Sequence, residues 1–281
     1  MNRTPHALVE PQWLEDHLDD PNLRVVALNW TGGEDFARGH IPTAQFWDWK
    51  AMLWDPLKRD FPTPQAFAER CAAAGIGNHT KVVFYGDPAL QFGTYAWWVF
   101  RLCGHPDARV LNGGRRRWEA EGRRLTTELA AIRPMTYTPV ARPDEQATRA
   151  TRDDVLASLD RGDTVLLDHR SPEEYSGERV SPPNSPDHGA ERTGRIPGAR
   201  PLHFEELLAA DGSFRPADEL RRLFVEQGAT PDKRIISYCR LSHRATLACF
   251  AMTQILGYPD VRSYDGSWTE WGSLVGVPIE R

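Results

Sequence analysis

The feature that most limits what this chain can fold into is a duplication. Displacing the sequence by 153 residues carries Val82-Val83-Phe84-Tyr85-Gly86 onto the segment that ends at Cys239. Without a gap, Gly104 then falls on Gly257, Asn112-Gly113 on Asp265-Gly266, and Trp118 on Trp271. Upstream the match resumes at a slightly different offset, with His40-Ile41-Pro42-Thr43-Ala44 answering Arg195-Ile196-Pro197-Gly198-Ala199. Two copies of about 130 residues are far longer than solenoid repeats and mean two domains of one fold.

Each copy reads the same way. A helix around Trp13, Leu14 and Leu18 opens the first, and one around Val155, Leu156 and Leu159 opens the second. A strand follows (Leu23 to Leu28; Val165 to Leu167), then the Ile-Pro turn, then a helix (Pro64 to Ala74; Pro216 to Gln227). Next comes a second apolar strand running into a helix. A last strand, Val110-Leu111 or Val261 to Tyr264, ends at the Asn-Gly or Asp-Gly turn. Strands alternating with helices predict an α/β fold, each domain a mostly parallel sheet with helices on both faces. The domains are expected at residues 1–130 and 145–281. The linker is Arg124 to Asp144, a Pro- and Thr-containing stretch with no sustained helical period. A second soft segment, residues 179–194, contains Ser181-Pro182-Pro183-Asn184-Ser185-Pro186 and reads as an exposed loop of the second domain.

Composition narrows the functions. A length of 281 residues with 40% hydrophobic residues suits two cored domains. A net charge of −5 without a basic stripe argues against nucleic acid. No apolar run approaches membrane-spanning length, and Met1-Asn2-Arg3-Thr4-Pro5-His6 lacks the apolar core of a signal peptide. Four cysteines without a Cys-x-x-Cys pair argue against a disulfide scaffold or a zinc site. His40, His169 and His203 show no ligand spacing, so no metal or cofactor is expected. A reducing cytoplasm is the expected location.

The chemistry is expected at Cys239. Ile235-Ile236-Ser237-Tyr238 is a β-branched and aromatic run that suits a buried strand. Beyond Arg244, Leu247, Phe250, Ala251 and Ile255 recur at helical spacing, and Gly257 stands where a C-cap glycine belongs. Cys239 therefore sits between a strand's carboxyl end and a helix N-terminus, where ligands bind in α/β sheets. Free N–H groups, the helix dipole, Arg240 and Arg244 all favour a thiolate there. Cys71, Cys103 and Cys249 lie among apolar helical neighbours and read as core. The first copy has Gly86 and Asp87 where the second has Cys239 and Arg240, so it carries no nucleophile.

At this point the chain resembles the tandem-domain rhodaneses, and bacterial thiosulfate sulfurtransferases in particular. The resemblance rests on the duplication with a lone cysteine in the second copy. It also rests on Asp168-His169-Arg170-Ser171-Pro172-Glu173-Glu174-Tyr175-Ser176-Gly177, Gly194-Arg195-Ile196-Pro197-Gly198-Ala199, the Cys239 loop, and Tyr264-Asp265-Gly266-Ser267-Trp268-Thr269-Glu270-Trp271. Two positions depart from the family pattern. Arg195 replaces a usual histidine, and Glu174 stands where some members carry a substrate-binding arginine.

The resemblance implies a transferase that moves the sulfane sulfur of thiosulfate to cyanide or a thiol through a Cys239 persulfide. Arg240, Leu241, Ser242, His243 and Arg244 would form the active-site loop, with Arg240 and Arg244 binding substrate. Asp168 and Arg170 would form a supporting ion pair. His243 reads as an exposed loop histidine, and the thiolate as exposed enough to oxidise. The partners implied are a small sulfur donor, an acceptor and a thioredoxin-like reductant, without nucleic acid or membrane. Three other readings stay open at this stage. One is a 3-mercaptopyruvate sulfurtransferase. Another is a cysteine phosphatase or arsenate reductase, whose loops place five residues between Cys and Arg where this chain has four. The third is a non-catalytic sulfur-binding module.

Overall fold

A computed structural model describes residues 6–29, 32–86, 89–142, 145–159, 161–183 and 189–281. Asp87, and Asn184, Ser185 and Pro186 of the soft segment, lie outside the described residues. The chain divides into two compact units. One runs to Glu145 and includes Ala209–Phe214; the other comprises Gln146–Leu208 and Arg215–Arg281. The short excursion belongs with the first unit because the Phe214 N–H donates to the Asn112 side chain at 3.0 Å. That asparagine opens the Asn-Gly turn.

The first unit holds a five-stranded sheet: β1 (Leu8–Val9), β2 (Leu23–Asn29), β3 (Ala44–Asp48), β4 (Lys81–Gly86) and β5 (Ala108–Leu111), in the order β1-β5-β4-β2-β3. The second repeats it with β6 (Arg149–Ala150), β7 (Thr164–Asp168), β8 (Arg200–Pro201), β9 (Arg234–Tyr238) and β10 (Val261–Tyr264), in the order β6-β10-β9-β7-β8. Every pairing is parallel. The central strands β4 and β9 are buried on both faces, which is why they read as unbroken apolar runs. The outer strands escape that pattern. β1 and β6 have two residues each, and β8 is exposed and contains Pro201, an imino acid a sheet tolerates at its edge.

The repeated Ile-Pro motif is a turn. Ile41 and Ile196 are fully buried, and each accepts a hydrogen bond at 3.1 Å from the N–H three residues on, that of Ala44 or Ala199. The third residue has positive φ in both copies, 66° at Thr43 and 73° at Gly198. Proline second with a left-handed residue third is the type II pattern. The paired tryptophans also behave alike. Trp118 donates its indole N–H to the Arg124 carbonyl, and Trp271 to that of Pro278, both at 2.9 Å. Each lies in its unit's core, with Val25, Val83, Tyr85 and Leu111 in the first and Val155, Ile236, Tyr238 and Tyr264 in the second.

The segment after Arg124 is not detached from the first unit. His40 and Thr126 exchange backbone hydrogen bonds, the Met135 N–H donates to Ala72, and Asn78 bonds both backbone groups of Thr138. Among the described residues, no helix is long and apolar enough to cross a membrane.

Candidate active site

Cys239 is the first residue beyond β9, and the helix that follows starts at His243. It runs to Phe250 and widens into a π turn over Ala251–Ile255 before Gly257 at φ 74°. The reversal from strand to helix is made at Ser242, whose φ is 71°. A left-handed serine costs on the order of 1 kcal/mol. Its hydroxyl is held at 2.7 Å by Ser263 of β10, which fixes that conformation.

The neighbouring Asp-Gly-Ser-Trp turn staples the start of the loop. The Cys239 N–H donates to the Ser267 hydroxyl at 3.2 Å, and that hydroxyl donates to the Tyr264 carbonyl at 2.7 Å. The Trp268 N–H takes the Cys239 carbonyl, and the Thr269 N–H and hydroxyl take that of Arg240. Both carbonyls are thus turned toward the helix at Ser267–Trp271. Among the described residues, no protein group accepts the N–H of Leu241, Ser242 or Arg244. Those N–H groups are the start of a helix, where negative charge is favoured.

The sulfur is more enclosed than the sequence reading anticipates. Cys239 is 1% exposed, and His243, expected on an open loop, is 8% exposed. His243 is the first residue of the helix, with Nδ1 at 3.0 Å from the Leu241 carbonyl, and neighbouring elements enclose it. Arg244 lies inside the helix too. Its two terminal nitrogens donate to the two carboxylate oxygens of Glu174 at 2.6 and 2.9 Å. Burial works against charge on Arg244; Glu174 and then Cys239 outweigh it and raise its pKa. Glu174 is fully buried and also closes the capping box of its own helix, accepting the Ser171 N–H at 3.1 Å. The departure at position 174 thus has a structural counterpart, a carboxylate bound to Arg244.

Asp168 and Arg170 form a fully buried ion pair at 2.6 Å. The Arg170 guanidinium donates to the Gly194 carbonyl at 2.8 Å and lies 4.5 Å from the Trp268 ring centroid. It joins the end of β7 to the helix that carries Ser267. His169, between them, has Nδ1 at 2.8 Å from the Leu202 carbonyl and Nε2 at 3.1 Å from the Ser237 hydroxyl. Burial pushes its pKa down to about 4. It is a neutral core histidine, with the Leu202 contact requiring a proton on Nδ1.

The segment expected as an exposed loop is pinned where it is described. Arg192 donates to the carbonyls of Trp271, Gly272, Leu274 and Val277, while its own carbonyl accepts the Trp268 indole N–H at 3.0 Å. Ala190 packs on the second unit's core. Next to it, Gly189 lies against the Arg240 side chain.

The other cysteines are buried, and burial pushes the Cys103 and Cys249 thiols up to about 12. At Gly86, the counterpart of Cys239, a Cβ would fall 1.7 Å from the Ala89 carbonyl oxygen. The backbone fills the space that a side chain would need. Glu174 and Ser267 are the site residues that single-residue reading misses. The Ser-x-x-Glu capping pattern marks Glu174, but its partner lies 70 residues away.

Comparison with known proteins agrees with this architecture. The chain is 44% identical over 283 residues to the sulfur carrier protein TtuD of Thermus thermophilus, covering 99% of this chain and 97% of that protein. It is 40% identical over 276 residues to a Mycolicibacterium smegmatis protein named provisionally as a thiosulfate sulfurtransferase, covering 97% of each. A solved structure of EanB, with a cysteine persulfide and ergothioneine, superposes with a TM-score of 0.86 at 25% identity. That match covers 98% of this chain and 70% of the EanB chain. The rhodanese-like domain matches twice, at residues 10–121 and 151–274, and with such relatives the chain belongs to the rhodanese family of sulfurtransferases.

Proposed function

We propose that the chain is a thiosulfate sulfurtransferase that works through a persulfide on Cys239. The Cys239 thiolate attacks the outer sulfur of thiosulfate. A new S–S bond forms, the bond to the sulfonate sulfur breaks, and sulfite leaves with the electron pair. Cyanide or a thiol then attacks the persulfide's outer sulfur and regenerates the thiolate, a double displacement that needs no external oxidant. The observation that carries this reading is the loop. It sets one cysteine just ahead of a helix, where, among the described residues, no protein group accepts the N–H of Leu241, Ser242 or Arg244, with arginines at 240 and 244. Such donors favour an anionic persulfide. Arg240 meets the donor's sulfonate, while Arg244, bound by Glu174, contributes fixed positive charge beside the sulfur.

A cytoplasmic setting suits the four free cysteines. 3-Mercaptopyruvate is the competing donor, since its carboxylate offers Arg240 the same partner. The sulfur-carrier name of the Thermus relative favours a protein thiol as acceptor. The test is thiocyanate formation from cyanide with each donor, in wild type and Cys239→Ser. Thiosulfate preference, abolished in the variant, is expected. Mercaptopyruvate preference would overturn the role of Arg240, and activity with neither donor would overturn the function.

A further inference from the structure

We propose that Gly189 is a specificity-determining residue, which positions the Arg240 side chain for an anionic sulfur donor. The inference rests on the reading above that Arg240 contacts that anion. A Cβ at Gly189 would lie 2.8 Å from Arg240 Nε, 3.5 Å from its Cδ and 3.6 Å from Ser181 Cβ. Gly189 therefore lies beside both Ser181 and the middle of the Arg240 side chain. Arg240 Nε is shut away from solvent.

The wall against which Arg240 rests is itself fixed. Gly189 precedes Ala190, which packs against the core, and Arg192, which is bound to four carbonyls of residues 271–277. On its other side, the Arg240 carbonyl is held by the Thr269 N–H and hydroxyl. Both the backbone and the wall are thus set by one terminal segment, and the guanidinium is aimed by the space between them. Only a residue without Cβ leaves that space. Gly189 has φ 86°, so glycine serves the backbone as well. A flexible side chain yields more cheaply than a pinned backbone, so a larger residue at 189 displaces Arg240 and leaves the fold intact.

The test reads the charge near Cys239 without using sulfur transfer. Alkylation of Cys239 is timed with iodoacetate and with iodoacetamide, an anion and its neutral analogue, in wild type, Gly189→Ala, Arg240→Met and the double variant. A lost charge-assisted contact is expected to lower the iodoacetate-to-iodoacetamide rate ratio on the order of ten-fold in Arg240→Met. Gly189→Ala should lower it by most of that factor and add nothing in the Arg240→Met background. KM for thiosulfate should rise in Gly189→Ala with kcat nearly unchanged. Gly189→Asn separates contact from backbone strain, since asparagine accepts a left-handed backbone yet carries a Cβ; it should behave like alanine. A wild-type ratio in Gly189→Ala, or in Gly189→Asn alone, would overturn the positioning role. A wild-type ratio in Arg240→Met would instead overturn the reading of Arg240 on which the proposal rests.

Discussion

Removing Glu174 tests how the site manages its charge. Its carboxylate is fully buried and bonded to Arg244 at 2.6 and 2.9 Å, while the arginine side chain is only 11% exposed. Breaking such a pair from one side strands the other charge, at a cost of about 3–5 kcal/mol. The Ser171 N–H loses its capping partner as well, for about a further 1 kcal/mol. Glu174→Ala should therefore destabilise the second domain by roughly 5 kcal/mol, lowering its midpoint by about 15–20 °C. Replacing both partners by apolar residues, as in Glu174→Leu with Arg244→Met, should recover much of that loss while sulfur transfer stays impaired. Acid adds a second signature. Burial pushes the Glu174 carboxyl up, but hydrogen bonds from Arg244 and its charge outweigh this and leave the pKa below its ordinary value. The stability it contributes is therefore present above the ordinary glutamate range near pH 4.3 and is lost as pH falls through the depressed value. Urea unfolding followed by tryptophan fluorescence from pH 3 to pH 7 measures both effects. An alanine variant within about 1 kcal/mol of wild type, with an unchanged acid slope, would refute the buried-charge argument.

Two further outcomes follow from burial. His169 has its pKa pushed from 6.5 down to about 4 by burial, so the unfolded chain takes up a proton that the folded one refuses. Stability should fall by about 3 kcal/mol between pH 6.5 and 4 on this account, and His169→Gln should flatten that segment of the urea-midpoint profile. Gly86→Cys should create no second nucleophile, because its Cβ meets the Ala89 carbonyl oxygen at 1.7 Å. Calorimetry should show the first domain destabilised by about 2 kcal/mol or more, and thiocyanate formation in a Cys239→Ser background should stay at zero.

Much of this was legible because the relevant signals are local. The central strands β2, β4, β7 and β9 are buried runs, and the helices carry clear apolar periods. The cysteine's place between strand and helix follows from five residues on either side. The Asp168–Arg170 pair, two residues apart on one strand end, was equally accessible. What was not legible depends on distant partners. Glu174 and Arg244 are separated by 70 residues, and Cys239 and Ser267 by 28. The enclosure of the thiol and of His243 comes from neighbouring elements that no local pattern names. Residues 179–183 and 189–194 form no helix or strand, as their proline and serine content suggests. What composition does not reveal is the anchor at Arg192, whose guanidinium satisfies carbonyls that the last helix leaves over.

The strand order also constrains how the molecule is made. In each domain the first strand pairs only with the last, β1 with β5 and β6 with β10. Neither sheet can close until its final strand has been synthesised, so folding is paced by non-local pairing. The first domain can finish while the second is still emerging from the ribosome. The second cannot set its cysteine until Ser267, Trp268 and Thr269 arrive, 28 to 30 residues after it. A nascent chain stalled before that point carries a cysteine but no cradle, so the reactive state is assembled late in translation.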